Sequence, residues 1–349
     1  MTSRLPAIMT LIGFCCLAFA AAAEPAPAAT PDPTDTLRRA LAGEESQQGP
    51  TSPFLLPALE QLAQARWRDG DLAEAAALRR RALHIAIGAF GSGSASAAEA
   101  MTALAQADID RRRYLDAEPL LIAAANVLTD SVAPDHPALA NVFAALARIA
   151  MARGSLTSAA DWAEQAAAIA GKNLHQRATE PLLVLAAVRA AQERYEESEA
   201  LLRDALARDR EHYGGEAIAV ARDLTQLGNL YLRRRRYADA LAPLEEAAAI
   251  EGHTLAPEHP LVADDFYDLG LAYDALKRPD EARKALAFAI KLLECGSEKN
   301  SLRLGYAERE LARVLRAAGK TQEAENASAD SKRILDNAED EERERERQV

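Results

Sequence analysis

Cysteine and aromatic residues are scarce in this sequence. Of 349 residues, 3 are cysteines, and aromatic side chains make up 5%. Cys15 and Cys16 lie in an amino-terminal segment that we predict to be removed, which leaves Cys295. A fold that is stabilised by disulfide bonds within the chain is therefore excluded. Few aromatics together with abundant alanine favour closely packed helices over a sheet.

The sequence also lacks an excess of positive charge. Its formal net charge is −12, and its sequence pI is about 5.2. A chain with this charge repels nucleic acid and anionic lipid unless a basic patch overrides the overall field. We therefore expect no nucleic-acid partner.

Motifs of common enzyme classes are absent from the sequence. It contains no G-x-S-x-G, H-E-x-x-H, P-loop, G-x-G-x-x-G before a helix, or C-x-x-C. We therefore predict a protein that is not an enzyme and that needs no cofactor and no metal. An enzyme with an unrecognised site is the alternative.

The amino terminus has the pattern of a secretory signal. Arg4 precedes an apolar run from Ala7 to Ala20, and small residues end at Ala23 before Glu24. We predict cleavage after residue 23 and export across the inner membrane of a bacterium, to the periplasm. An uncleaved segment that anchors an envelope adaptor is the alternative, because the run approaches spanning length.

The strongest feature of the sequence is an internal repeat. A leucine followed by alanine or glycine recurs seven times, in steps of 42, 42, 39, 42, 42 and 42 residues. These leucines are Leu62, Leu104, Leu146, Leu185, Leu227, Leu269 and Leu311. Another alanine or serine follows 12 residues after each small residue, a spacing that lets two helices approach closely.

Each repeat is predicted to be a helix hairpin. In "YADALAPLEEAAAIE", from Tyr237, the apolar residues fall on one stripe of an amphipathic helix. A short turn rich in Arg, Asp or Gly precedes that helix and separates it from the first one. No alternating β-branched run competes with this assignment.

The hairpin pattern resembles the tetratricopeptide repeat. It is clearest in "LGNLYLRRRRYADALAPLEEA", from Leu227 to Ala247. The period of 42 residues, longer than the usual ~34, and the junction "PDHPALA" are similar to kinesin-light-chain-like repeats. The resemblance implies an all-α, right-handed superhelical solenoid of about seven helix-turn-helix repeats. It also implies binding of peptides or protein surfaces without chemistry of its own.

The repeat register predicts the domain organisation. Residues 1–23 are the signal peptide, and residues 24–52 are a flexible Pro/Ala-rich linker with a possible short cap helix. The solenoid covers residues 53–333, and a charged tail follows at 334–349. The repeat units begin near residues 53, 95, 137, 176, 218, 260 and 302.

Two similar pentapeptides, "APDHP" and "APEHP", place His136 and His259 beside a carboxylate. Because solenoid units contact only their neighbours, histidines three units apart would lie on the order of 30 Å from each other. They could then share no metal ion. Ser52 stands in the same register before Pro53, and proline suits the first turn of a helix. We therefore predict that the pentapeptide starts a helix.

The resemblance implies a concave groove formed by the first helix of each hairpin. Its candidate binding residues occupy three positions around the small residue: Gln106, Asn141, Arg148, Leu183, Thr225, Asn229, Tyr267, Arg309 and Arg313. The predicted groove is polar to acidic at one end, more apolar midway, and rich in arginine at the other. It would suit a peptide with an apolar middle and an acidic portion toward Arg309 and Arg313.

The function predicted from the sequence is that of an exported, non-enzymatic scaffold for protein–protein interaction. Its partner would be a protein or peptide, and a membrane is involved only if the signal is uncleaved. Self-association is a further possibility, because terminal repeats can stack. For Cys295 two interpretations remain, a small apolar residue near a helix end or an exposed thiol that links two chains.

Overall fold

A computed structural model describes residues 33–172, 179–256, 259–295 and 301–348. The predicted signal peptide lies outside these residues. Fifteen α-helices and one short 3-10 helix, Pro53–Leu55, make up the described part of the chain, which contains no strand. The predicted all-α class is therefore confirmed.

After the first helix, consecutive helices pair into seven hairpins, α2 with α3 through α14 with α15. The helices are α1 (Pro33–Gln48), α2 (Leu56–Arg68), α3 (Leu72–Phe90), α4 (Ala95–Asp110), α5 (Tyr114–Ser131), α6 (Pro137–Ala152), α7 (Leu156–Lys172), α8 (Glu180–Ala191), α9 (Tyr195–Tyr213), α10 (Ile218–Arg233), α11 (Tyr237–Thr254), α12 (Pro260–Ala275), α13 (Pro279–Cys295), α14 (Ser301–Ala317) and α15 (Thr321–Gln348). They form two compact units, an amino-terminal unit up to residue 214 and a carboxy-terminal unit from residue 215.

All seven hairpin turns share one backbone conformation. One residue in each turn has a positive φ, between 56° and 79°: Gly70, Arg112, Gly154, Glu193, Arg235, Lys277 and Gly319. The amide of Gly70 donates to the carbonyl of Trp67, and the amide of Asp71 donates to the carbonyl of Arg66. The same two hydrogen bonds recur in the other six turns. They define the Schellman motif, which ends a helix by satisfying its last carbonyls.

Three helices begin with the same kind of side-chain cap. The Nδ1 atom of His136 accepts a hydrogen bond from the amide of Ala138 at 3.3 Å. His259 accepts in the same way from Leu261 at 3.2 Å, and the hydroxyl of Ser52 accepts from Phe54 at 3.4 Å. Both histidines are therefore helix caps, as the sequence predicted. Among the described residues, no group of His, Cys, Asp or Glu is placed to hold a metal ion.

Helix α1 packs on the first hairpin of the amino-terminal unit. Its Leu41 is buried together with Leu55, Leu59, Leu62 and Ile85. Burial of these side chains removes apolar surface from water, which is the main contribution to the stability of such an end. This helix lies in the segment for which a short cap helix was predicted.

In the carboxy-terminal unit, helices cross closely where glycine replaces alanine in the repeat. Gly228 on α10 contacts Leu244 on α11, and Gly270 on α12 contacts Leu286 on α13. Phe266 on α12 packs edge-to-face against Phe288 on α13, with the ring centroids 4.7 Å apart. The small residues thus mark helix crossings, as predicted from their spacing.

The last helix is packed beyond residue 333, the predicted end of the solenoid. The hydroxyl of Ser331 donates to the carbonyl oxygen of Gly305 at 2.8 Å, and Leu335 packs on the same glycine. Ala338 is buried as well. At the end of α13, by contrast, Cys295 is an exposed thiol.

Candidate functional site

A row of polar contacts joins the first helices of the amino-terminal unit. The indole of Trp67 on α2 donates to Asp110 on α4 at 3.1 Å. Arg148 on α6 lies 3.6 Å from Asp110 and 3.7 Å from Glu180 on α8. We call these four residues the polar row. Burial raises the pKa of Asp110, while Arg148 and two side-chain donors, Gln106 and Trp67, oppose that shift.

A second set of contacts joins the first helices of the carboxy-terminal unit. The hydroxyl of Thr225 on α10 donates to Asp265 on α12 at 2.8 Å. Arg303 on α14 pairs with Asp264, and its guanidinium lies 5.7 Å from the ring centroid of Tyr267. Asn229 donates to Asp268. Several predicted groove residues therefore hold neighbouring repeats together.

An open cleft of about 490 Å³ lies in the carboxy-terminal unit. Its lining comprises Leu232, Tyr237, Leu271, Asp274, Ala275, Lys277 and Arg313. These residues come from α10, the start of α11, α12 with its following turn, and α14. The cleft combines apolar side chains from two adjacent first helices with charged groups at its edge.

The arginines predicted at the end of the groove differ in their surroundings. Arg313 pairs with Asp274 at 2.7 Å and with Glu310 at 2.9 Å, so two carboxylates offset its charge. The side chain of Arg309 is 58% exposed, and its guanidinium lies 4.9 Å from the ring centroid of Tyr306. Arg309 also lies 3.7 Å from Glu310, whereas Arg313 has two closer carboxylates, so less negative charge opposes an acidic ligand at Arg309 than at Arg313.

Two further predicted groove residues, Asn141 and Leu183, differ in how exposed their side chains are. Asn141 on α6 is exposed and accessible to a partner. Leu183 on α8 is only 4% exposed, so little of its side chain could touch a partner.

Three buried acidic residues in the carboxy-terminal unit were not predicted from the sequence. Glu251, Asp265 and Asp268 are 2%, 0% and 8% exposed. Asp223 precedes Asp265 by one repeat length of 42 residues and is also buried. That recurrence of an acid at one register position is the signal that could have revealed Asp265.

Comparisons with known proteins address the fold directly. The tetratricopeptide repeat family matches residues 178–251. This segment holds tetratricopeptide repeats. Its helices are α8 to α11, which include one hairpin of each unit. The resemblance found in the sequence is therefore confirmed there.

Solved structures share the helical repeat architecture. Aspartyl phosphate phosphatase F from Bacillus subtilis is 13% identical, with a TM-score of 0.55, covering 88% of this chain and 76% of that one. The apo form of RapI is 14% identical, with a TM-score of 0.54, covering 81% and 77%. At these identities the similarity shows the fold alone.

A third solved structure contains TPR-like repeats of a kinesin light chain from Podosopora anserina. It is 24% identical, with a TM-score of 0.49, and the match covers 58% of this chain and 98% of that one. Among curated proteins, no sequence matches this chain. Within the described residues, no helix has the length and apolar composition needed to cross a membrane.

Proposed function

We propose that the chain is an exported, non-enzymatic scaffold that binds a peptide or protein surface along its first helices. A role in protein–protein interaction is consistent with the tetratricopeptide repeats at residues 178–251. The observation that carries the proposal is the open cleft between α10, α12 and α14. Concave sites with apolar walls and a few polar groups are the usual places for ligands.

The lining of the cleft favours a particular kind of peptide. Leu232, Leu271 and Ala275 offer apolar surface to one side chain of the partner. Lys277 is exposed at the edge, and the structure gives it no ion pair with any described residue. Arg309 lies on α14 one turn before the cleft residue Arg313, and its 58% exposed side chain adds positive charge to that of Lys277. The partner would therefore place an apolar residue in the cleft and acidic residues beside it.

Site-specific crosslinking tests the position of the partner. A photo-crosslinking amino acid replaces Tyr237 in the cleft or, as a control, Leu115, whose side chain is 54% exposed on α5. The chain, expressed in its own host, is illuminated in cells, and the adducts are identified by mass spectrometry. We expect adducts with a specific protein at position 237 and none with that protein at position 115. Adducts confined to position 115 would refute the assignment of the cleft as the binding site.

Substitutions in the cleft and at Arg309, one turn from the cleft residue Arg313, provide a second test. A triple variant, Leu271→Ala, Lys277→Ala and Arg309→Ala, changes partly or fully exposed side chains and should keep its helical circular dichroism. We expect at least tenfold weaker binding of the crosslinked partner, because two charges and an apolar contact are lost, each contributing about 1 kcal/mol or more. Unchanged affinity in a folded triple variant would contradict the proposed site.

Export is proposed from the amino-terminal sequence. The basic Arg4, the apolar run and the small residues before Glu24 support it. Fractionation of the cells combined with amino-terminal sequencing tests it. We expect a periplasmic protein that begins at Glu24. An intact amino terminus in the membrane fraction would instead support the anchored adaptor.

A further inference from the structure

Four carboxyl groups lie close together inside the carboxy-terminal unit, where α11 packs against α12. They belong to Glu251 on α11 and to Asp264, Asp265 and Asp268 on α12. We call them the carboxylate cluster. Three of them are almost fully buried, whereas the side chain of Asp264 is 21% exposed. Burying several like charges together is unfavourable unless protons or cations compensate them.

The groups that face the cluster compensate only part of this charge. From α10, Thr225 donates to Asp265 and Asn229 donates to Asp268. From α14, Arg303 pairs with Asp264 and acts on Asp268. On α12 itself, Tyr267 lies beside Arg303 and Asp268. The guanidinium of Arg303 can offset one of these negative charges, and it is not among the main groups that shift the pKa of Glu251 or Asp265, so protons must compensate these two buried carboxyls.

Two carboxyl oxygens of the cluster show where those protons are held. The Oε2 atom of Glu251 and the Oδ2 atom of Asp265 are buried and have no hydrogen-bond partner in the described structure. A buried ionised carboxylate without partners is strongly disfavoured. Burial, and then the charge of Asp264, raise the pKa of Glu251 to about 8. Burial and Glu251 also raise the pKa of Asp265.

The pKa of Asp268 is also raised. Burial raises its pKa to about 7, against the opposing effect of Arg303. Each folded pKa thus lies above the ordinary value of 3.8 for Asp or 4.5 for Glu. A raised pKa means that the folded state holds protons that the unfolded state releases. The stabilisation is complete below the ordinary values and is lost as pH rises through about 7 and 8.

We propose that protons on Glu251, Asp265 and Asp268 hold α11 against α12, and that mildly alkaline solution removes these protons and loosens this contact. The device lies at the junction of two successive hairpins, α10 with α11 and α12 with α13. Because α12 also carries Leu271 and Ala275 of the cleft, loosening would reach the cleft wall. The inference is independent of the partner, since it concerns the packing of the chain itself.

Hydrogen exchange of the whole mature chain tests the proposal without any substitution. Amide protection is compared at pH 5.5 and pH 8.5, after correction for the intrinsic exchange rates. We expect protection in α11 and α12 to fall by up to roughly tenfold per pH unit for each proton released. Protection in α2 to α7 should fall less. An equal decrease throughout the chain, or none in α11 and α12, would overturn the proposal.

Variants that keep the shape but cannot ionise provide the matched comparison. Glu251→Gln should reduce the pH-dependent loss of amide protection in α11 and α12 by at least about tenfold, because one titrating group is removed. Glu246→Gln makes the same charge change at an exposed position of α11 and should behave like the wild type. If Glu251→Gln fails to fold, Asp265→Asn replaces it. The proposal would also be overturned if a folded variant lost as much amide protection between pH 5.5 and pH 8.5 as the wild type.

Discussion

A β-carbon on Gly228 would lie 2.5 Å from Cγ of Leu244, closer than side-chain atoms approach in proteins. Leu244 is fully buried, so it has little room to move. The two helices of this hairpin are therefore in contact through the backbone of α10.

The variant Gly228→Ala tests this contact. Overpacking costs about 1–3 kcal/mol, whereas alanine favours the helix by about 0.5–1 kcal/mol, so we expect a net loss of about 1 kcal/mol. Chemical denaturation measures it. Gly88→Ala in α3 is the control, because no atom lies within 4 Å of the position that a β-carbon would occupy there. We expect this control to be more stable than the wild type, and equal effects of the two substitutions would refute the close contact.

The positive-φ residues of the hairpin turns predict a substitution that stabilises the protein. Glu193 has a φ of 62°, a conformation that is unfavourable for a residue with a β-carbon. Glu193→Gly should therefore stabilise the protein by about 0.5–1 kcal/mol. Glu193→Ala removes the same carboxylate but keeps the β-carbon, so it should give no such gain. Equal denaturation midpoints for the two variants would show that the turn stores no strain.

The helix caps predict how His136 responds to substitution. His136 is exposed, so His136→Ala removes mainly the cap and should cost about 1 kcal/mol. His136→Ser should retain most of the stability, because Ser52 caps the first hairpin in the same register. Thermal unfolding measures both. Zinc or a chelator should leave the melting temperature of the wild type unchanged, and a shift with zinc would contradict a purely structural role.

Much of the fold could be predicted from the sequence, because periodic small residues and His-Pro or Ser-Pro junctions act locally. The conformation of Glu193 was harder to predict, since glutamate has no preference for positive φ. Only its alignment with Gly154 reveals it. The burial of Glu251 and Asp265 depends on how the neighbouring helices pack around them, which the recurrence of an acid at one register position could suggest for Asp265 but not establish. For the same reason, the burial of Leu183 was not foreseen.

The polar row predicts a pH-dependent effect of Trp67. Its indole hydrogen bond favours the ionised form of Asp110. Trp67→Phe removes the donor, which raises the pKa of Asp110 further, so the loss of stability should increase with pH. Unfolding at pH 4 and pH 7.5 measures this difference. Trp162→Phe, where the ring stacks on Phe143, is the control and should show a loss that is independent of pH.

Glu308 provides a second pH-dependent prediction, in the last hairpin. Burial, and then the charges of Asp330 and Glu294, raise the pKa of Glu308 to about 7. The folded state therefore loses stability as pH rises from about 4.5 to about 7. Glu308→Gln should raise the melting temperature at pH 8.5 and change it little at pH 4. A variant with the same melting temperature as the wild type at pH 8.5 would contradict this.

The common hairpin turn also determines where the chain can change in length. One residue inserted within a helix rotates all later side chains by about 100°, which would move the small residues away from the helix crossings. The only departure from the 42-residue step is the shorter step between Leu146 and Leu185. Both flanking hairpins keep the 12-residue spacing of their small residues, so the missing residues lie between Ala159 and Leu185, outside the hairpin turns. Insertions and deletions should therefore be tolerated at the junctions and rejected inside the hairpins.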